Sequence, residues 1–397
     1  MVKQVKTAVA LAALIALAGT AQAQQKLSIG FLTDMSGVYA DLDGKEGATA
    51  IQMAIDDFGG TVNGMPIQLL SADNQNKPDI ALARAREWFD TQNMTMLIGG
   101  TNSAAALALA KLSQDRKRIF MVNGSGSSVL TNEQCSPYTI HYAWDSVAFA
   151  KGTAAAMTRQ GDKNWFIMAA DYAFGHALQA DATKVIQANG GKVLGAVRHP
   201  LNTTDFSSFL LQAQSTKAQV LGLSNAGGDT INAIKAAREF GLDKTMKLAS
   251  LVLFVTDVHA MGLPAAQGLM FTTSWDWNLN DDTRTFARKF FDKTKRMPTD
   301  VQAANYSSTM QYLKAVQATK STDADTVMAY LKSKPLKDFY AEGTIRPDGR
   351  YEHNMYLMQV KTPAESKQPW DYLKRVATLP GKEVFTTKAE SKCALWK

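Results

Sequence analysis

LSIGFLTDMSGVYADLDGKEGATAIQMAIDDF, residues 27–58, holds the reading that decides the fold. An apolar run with the length and composition of a buried strand (27–32) leads into a polar loop bounded by glycines, and an amphipathic, helix-length segment (48–58) follows. Downstream the unit recurs. Strands are expected at 67–71, 96–98 and 119–122, separated by helices at 80–91 and 104–115. Boundary chemistry agrees with this rhythm: Pro78-Asp79 opens a helix, Asn63-Gly64 makes a turn, and Gly99-Gly100 frees the backbone between strand and helix. Strands alternating with helices in this way predict an α/β fold with a doubly wound parallel sheet.

A second block repeats the pattern, with strands at 165–169, 192–197, 220–223 and 247–253 and helices at 177–188, 206–214 and 230–240. Two blocks of like size predict two lobes, the first running to about Trp144. Beyond Trp275 come helical patterns at 281–295, 299–319 and 323–333. A turn at Arg346-Pro347-Asp348-Gly349, an alternating strand at 351–360 and a loop at 363–368 complete the chain.

Upstream of the first strand, MVKQVKTAVALAALIALAGTAQA (1–23) has a basic start at Lys3 and Lys6, a short apolar stretch at 8–18 and the small-x-small pattern Ala21-Gln22-Ala23. This is the form of a cleaved secretion signal. The mature chain is expected to begin at Gln24 and to reside in a bacterial periplasm. The apolar run is shorter than the roughly 20 residues that span a bilayer, and no later segment reaches that length.

Removing 23 of 397 residues leaves 374, more than one compact core usually holds, so a cleft between two cores is expected. The formal charge of +7 falls to +5 once Lys3 and Lys6 leave. The densest basic stretches, Arg116-Lys117-Arg118 and 289–296, are short and read as solvated helix faces, so no nucleic-acid partner is expected. Cys135 and Cys393 are the only cysteines, and an even, sparse count in an oxidising compartment predicts one disulfide stapling the C-terminal tail to the body. Neither has a second ligand at metal-binding spacing.

Enzyme motifs are missing: no nucleophile elbow, no phosphate-binding loop, no His-Glu-x-x-His pair and no dinucleotide fingerprint follow the strands. The histidines (141, 176, 199, 259, 353) are never at metal-ligand spacing, and isolated carboxylates do not make a mechanism. No enzyme, cofactor or metal is therefore expected. What remains is a set of strand ends rich in small, polar and aromatic residues, where open parallel sheets bind ligands. The first loop (34–41) offers Tyr39 and Asp41, and the third (99–103) offers Asn102 and Ser103, with Ser103 expected to cap a helix whose N–H groups meet an anion. The fourth (123–128) adds Ser125 and Ser127. His141 lies at the lobe boundary. In the second block the strand ends carry Asp171, Tyr172 and Phe174, then Asn225 with Asp229 as a helix cap, then the apolar 251–254 that includes Leu253, and Trp275 follows at the crossover.

Together these residues resemble the type I periplasmic ligand-binding proteins of ABC transporters, the group typified by leucine/isoleucine/valine-binding protein. The likeness covers essentially the whole mature chain. It is carried by Ile29-Gly30 with Asp34-Met35-Ser36-Gly37, by 96–100 with Ser103, by 169–175, by 225–229 and by 266–269. The resemblance implies two α/β lobes, 24–144 plus 276–342 and 145–275 plus 343–397, joined by crossovers near Trp144, Trp275 and Glu342. It also implies hinge closure on a small-molecule solute, a monomeric receptor, and delivery to an inner-membrane permease driven by its ATPase. In the family, loops matching Ser103, Ser125 and Ser127 hold the ligand carboxylate.

One departure bears on the ligand. Amino-acid binders hold the ammonium with an acidic residue where this chain has Leu251, Val252 or Leu253, and an unpaired buried charge is costly. Asp171 or Asp229 are the possible substitutes; the simpler expectation is an aromatic acid walled by Tyr39, Tyr172, Phe174 and Tyr306. The alternatives are a receptor for branched-chain or other amino acids, and a ligand sensor without a transport role.

Overall fold

The computed structural model describes residues 26–397. The expected signal peptide, 1–23, lies outside the described residues. The first sheet contains β1 (Leu27–Thr33), β2 (Thr61–Val62), β3 (Met65–Asp73), β4 (Met94–Gly99), β5 (Ile119–Val122) and β6 (Thr139–His141), in the order β2-β3-β1-β4-β5-β6. Every pairing except β2 with β3 is parallel. β1, β4 and β5 are buried along their whole length because helices cover both faces, which is why they read as continuous apolar runs. Alternate residues serve opposite cores: Ile29, Phe31, Met96 and Ile98 face one, and Leu32, Leu97, Phe120 and Val122 face another with Trp88.

The second sheet has the order β10-β9-β7-β8, all parallel, from β7 (Asn164–Ala170), β8 (Lys192–His199), β9 (Val220–Ser224) and β10 (Lys247–Ser250). Two lobes of doubly wound α/β architecture therefore stand as read from the sequence. Two small antiparallel sheets complete the fold: β11 (Met270–Thr273), β15 (Met355–Val360) and β16 (Leu373–Leu379) form one, and β12 (Leu336–Lys337), β13 (Glu342–Ile345) and β14 (Tyr351–His353) form the other. The long helix Asp300–Thr319 lies against the first sheet, where Asn305 donates to Asp43 and Tyr312 donates to Thr95.

Two local readings are corrected. The strand expected at 247–253 ends at Ser250, where the chain turns toward the interlobe cleft. The strand expected at 351–360 breaks at Asn354, and its halves pair in different sheets: β14 with β13, and β15 with β11 and β16. A continuous alternating pattern cannot show that break, because both halves bury the same kinds of side chain. β16 was not anticipated. The expected disulfide joins Cys135 to Cys393.

Candidate functional site

The C-terminal ends of β1, β4, β5, β7, β9 and β10 meet between the lobes. After β1, the Asp34 carboxylate accepts the N–H groups of Ser36 (3.3 Å), Gly37 (2.7 Å) and Tyr39 (3.0 Å), which winds the loop and fixes Tyr39 at its end. After β4, Gly99 has φ +119 and packs so tightly that a Cβ would lie 2.2 Å from the Leu32 carbonyl oxygen, a place only glycine fills. The helix Ser103–Asp115 begins there. Its cap is Asn102, whose Oδ1 accepts the Ala105 N–H at 3.0 Å, so Ser103 is the first helical residue and not the expected cap.

These loops enclose a cavity lined by Tyr39, Leu42, Thr101, Gly124, Gly126 and Trp144 with Tyr172, Phe174, Ala226, Val252 and Phe254. The lobes are drawn together so closely that about 10 Å³ is left to the centre of a water, room for about one molecule. Closure is direct. The Tyr39 and Tyr172 hydroxyls, one from each lobe, share a hydrogen bond of 2.5 Å, the Gly228 N–H donates to the Val38 carbonyl at 3.1 Å, and the Ser128 hydroxyl donates to Asp181 at 2.9 Å. The Tyr172 ring stands 6.2 Å from that of Phe174, and Trp144 lies 5.0 Å from Phe149 and 6.1 Å from Phe254. The lining is aromatic and contains no Asp, Glu, Lys, Arg or His.

Behind one wall lies a polar layer. The Ser125 hydroxyl donates to the Ser103 hydroxyl at 2.9 Å, both fully buried, beside the N-terminus of the helix Ser103–Asp115, whose dipole favours negative charge. The Ser127 hydroxyl is buried without a hydrogen-bond partner, and Asn123 donates to Asn305 and Ser308. Burial pushes the Tyr39 hydroxyl well above the usual tyrosine range, helped by Tyr172, and burial raises Tyr172 likewise, so both hydroxyls keep their protons and one donates to the other. Burial also lifts the Asp229 carboxyl to about 6 despite the N–H groups it accepts from Asn202 and Thr203. Those bonds tie down a loop: Gly227 precedes the helix Gly228–Glu239, so Asp229 is not its cap.

Of the expected site residues, Tyr39, Tyr172 and Phe174 line the cavity, and Ser103 and Ser125 stand in the layer behind it with Ser127 nearby. Others are placed elsewhere. Tyr306 packs against Phe286 and Phe339 and donates to Asp57, outside the cavity lining. Asp41 is exposed and paired with Arg296 at 2.7 Å, and Asp171 is exposed and paired with His176 at 2.7 Å. Asn225 is fully buried between His199 and Thr230. Leu253 and Trp275 line a separate small cavity with Thr273, Asp300 and Leu373. His141 is fully buried one layer behind the lining. Thr101, Gly124, Gly126, Ala226, Val252 and Phe254 lie in loops singled out from the sequence although other members of those loops were chosen. Leu42 and Trp144 had no sequence signal beyond the position of Trp144 at the lobe boundary.

Comparison with known proteins places this geometry. A family model described as periplasmic binding protein matches residues 26–368. Among solved structures, a periplasmic binding protein from Burkholderia mallei is 59% identical with a TM-score of 0.93, covering 94% of this chain and 99% of its own. A branched-chain amino acid ABC transporter periplasmic ligand-binding protein from Burkholderia xenovorans LB400 is 41% identical, with a TM-score of 0.84 and coverage of 94% and 100%. A solute-binding protein of an ABC transporter from Rhodopseudomonas palustris HaA2, solved with p-hydroxybenzoic acid, is 25% identical, with a TM-score of 0.81 and coverage of 90% and 98%.

Proposed function

We propose that this chain, which belongs to the periplasmic binding protein family, captures an aromatic carboxylic acid between its lobes and delivers it to an inner-membrane permease with its ATPase subunits. In this reading residues 1–23 direct export, and a monomeric receptor works in the periplasm. The observation that carries the ligand assignment is the lining itself: five aromatic rings, Tyr39, Trp144, Tyr172, Phe174 and Phe254, and no acidic side chain to meet an ammonium. A ring gains from burial against such walls, and a carboxylate is served by the donor-rich loops around Ser103 and Ser125. Since the closed cavity has room for about one water, the lobes must part for a ring to enter, which makes the hinge part of the binding cycle.

The second reading is a branched-chain amino acid, favoured by the name of the 41% identical Burkholderia xenovorans protein. Asp229 is the acid that would have to serve it, being near enough to raise the affinity of both Tyr39 and Tyr172 for their protons, although it lies outside the lining. Thermal unfolding of the purified protein against benzoate, 4-hydroxybenzoate, hydroxycinnamates and leucine separates the two, because a ligand that binds the folded state raises its melting temperature. Stabilisation by aromatic acids and not by leucine is expected. Stabilisation by leucine alone would overturn the assignment.

A further inference from the structure

We infer that His141 is a positioning residue that aims the Gly126 N–H into the ligand cavity by holding the Ser125 carbonyl on the opposite side of their shared peptide. The inference rests on the reading of this cavity as a carboxylate site. His141 closes β6, immediately before the chain first crosses between the lobes, and is fully buried. Its Nε2 stands 2.6 Å from the Ser125 carbonyl oxygen. A carbonyl only accepts, so Nε2 carries the proton, and Nδ1, buried without a partner, is the bare nitrogen of a neutral ring. Burial holds the imidazole well below the usual histidine range, and the adjacent buried Arg350 guanidinium adds to this, which keeps the ring in the one-proton form that the geometry needs.

The ring itself is fixed from the hinge. The His141 N–H donates to the Gly349 carbonyl at 2.9 Å, and His141 forms a parallel bridge with Arg350. On the other side of the loop, the Gly126 carbonyl accepts the Ser146 N–H at 2.7 Å, from just after the same crossing. Two successive carbonyls, of Ser125 and Gly126, are thus gripped by residues flanking one hinge segment. A trans peptide sets its C=O and N–H on opposite edges, so gripping the Ser125 carbonyl dictates where the Gly126 N–H points. Gly126 lines the cavity, and its N–H makes no hydrogen bond among the described residues. Such an orphan donor beside a ligand cavity is the complement of an anionic oxygen.

The test is calorimetric binding of benzoate to the purified protein and to H141F and H141Q, with melting temperatures measured alongside. Phe keeps a ring but loses the donor, whereas the amide nitrogen of Gln reaches about where Nε2 stands. Loss of a hydrogen bond to a charged oxygen corresponds to at least about tenfold in affinity, so H141F should weaken binding by that much while H141Q stays within about threefold of the unsubstituted protein. Equal losses in both variants, or none in H141F, would overturn the inference. If H141F does not fold, the shorter H141N carries the same comparison. The unsubstituted protein supplies an independent readout, because benzoate should move the Gly126 amide proton resonance downfield, and an unmoved resonance with benzoate bound would also overturn the assignment. Failure of the unsubstituted protein to bind any aromatic acid would instead remove the functional reading beneath it.

Discussion

Gly126 and Phe174 meet across the cleft, and their contact shows how much single residues decide here. A Cβ built on Gly126 would lie 2.4 Å from the Phe174 ring and 3.0 Å from Trp144. Neither ring can retreat easily, since both are buried. Gly126→Ala should therefore resist closure while leaving each lobe folded. With overpacking worth about 1 to 3 kcal/mol, affinity for the preferred aromatic acid should fall about tenfold and the melting temperature of the ligand-free protein should change little. Calorimetry and a thermal scan of the variant check this; unchanged affinity would mean that the loop yields. At this scale the sequence was only partly legible. The stretch 123–128 stood out as a cluster of donors, yet Ser125 and Ser127 turned inward and its glycines met the cavity. A loop has no period, so nothing local tells which of two neighbours faces the ligand.

The short helix Val255–Met261 carries a consequence at the scale of elements. Its Asp257 accepts the Phe254 N–H at 3.1 Å and so fixes the segment that brings Val252 and Phe254 to the cavity. Burial raises the Asp257 carboxyl from 3.8 to about 7, with the nearby Asp41 and Asp300 charges adding to the effect. A carboxyl raised on folding contributes stability that is full below its unfolded value and is lost as the pH climbs through the folded one. Between those values the ionised group opposes folding. Asp257→Asn keeps an acceptor for the cap and removes the titration, so the variant should gain on the unsubstituted protein as pH rises from about 4 to about 7. Urea unfolding of both proteins at about pH 5 and about pH 8 gives that difference, in which the opposite contribution of the depressed histidines, His141, His199, His259 and His353, cancels. A difference that does not vary with pH would contradict it. Most elements were legible because amphipathic and apolar runs report burial. The exceptions are instructive: at the helix start, Asn102 and Ser103 are both competent caps and only the fold chose between them, and no pattern marks the switch of sheets at Asn354.

At the scale of the whole molecule, the disulfide closes the chain on itself. Cys135 lies between β5 and β6, Cys393 lies 258 residues later, and the tail between is held by Lys392 to Glu133 at 2.8 Å and by Lys151 to Glu390 at 2.9 Å. Linking such distant points restricts the unfolded chain, so Cys393→Ser should lower stability by about 2 to 4 kcal/mol in urea titrations under oxidising conditions, and a loss below about 1 kcal/mol would mean that the ion pairs alone secure the tail. The sequence by itself determined the two parallel β/α blocks, the donor-rich and aromatic strand ends and the cysteine pair. These follow from composition and local periodicity, which fix what each segment buries. Only the tertiary structure decided that Tyr39 meets Tyr172, 133 residues away, that Trp144 and Phe254 complete the walls, that Tyr306 packs on Phe286 and Phe339 outside the cavity lining, and that His141 holds the Ser125 carbonyl. Those relations arise where two lobes close on each other, and contacts between lobes depend on how separately folded surfaces meet, which no run of neighbouring residues encodes.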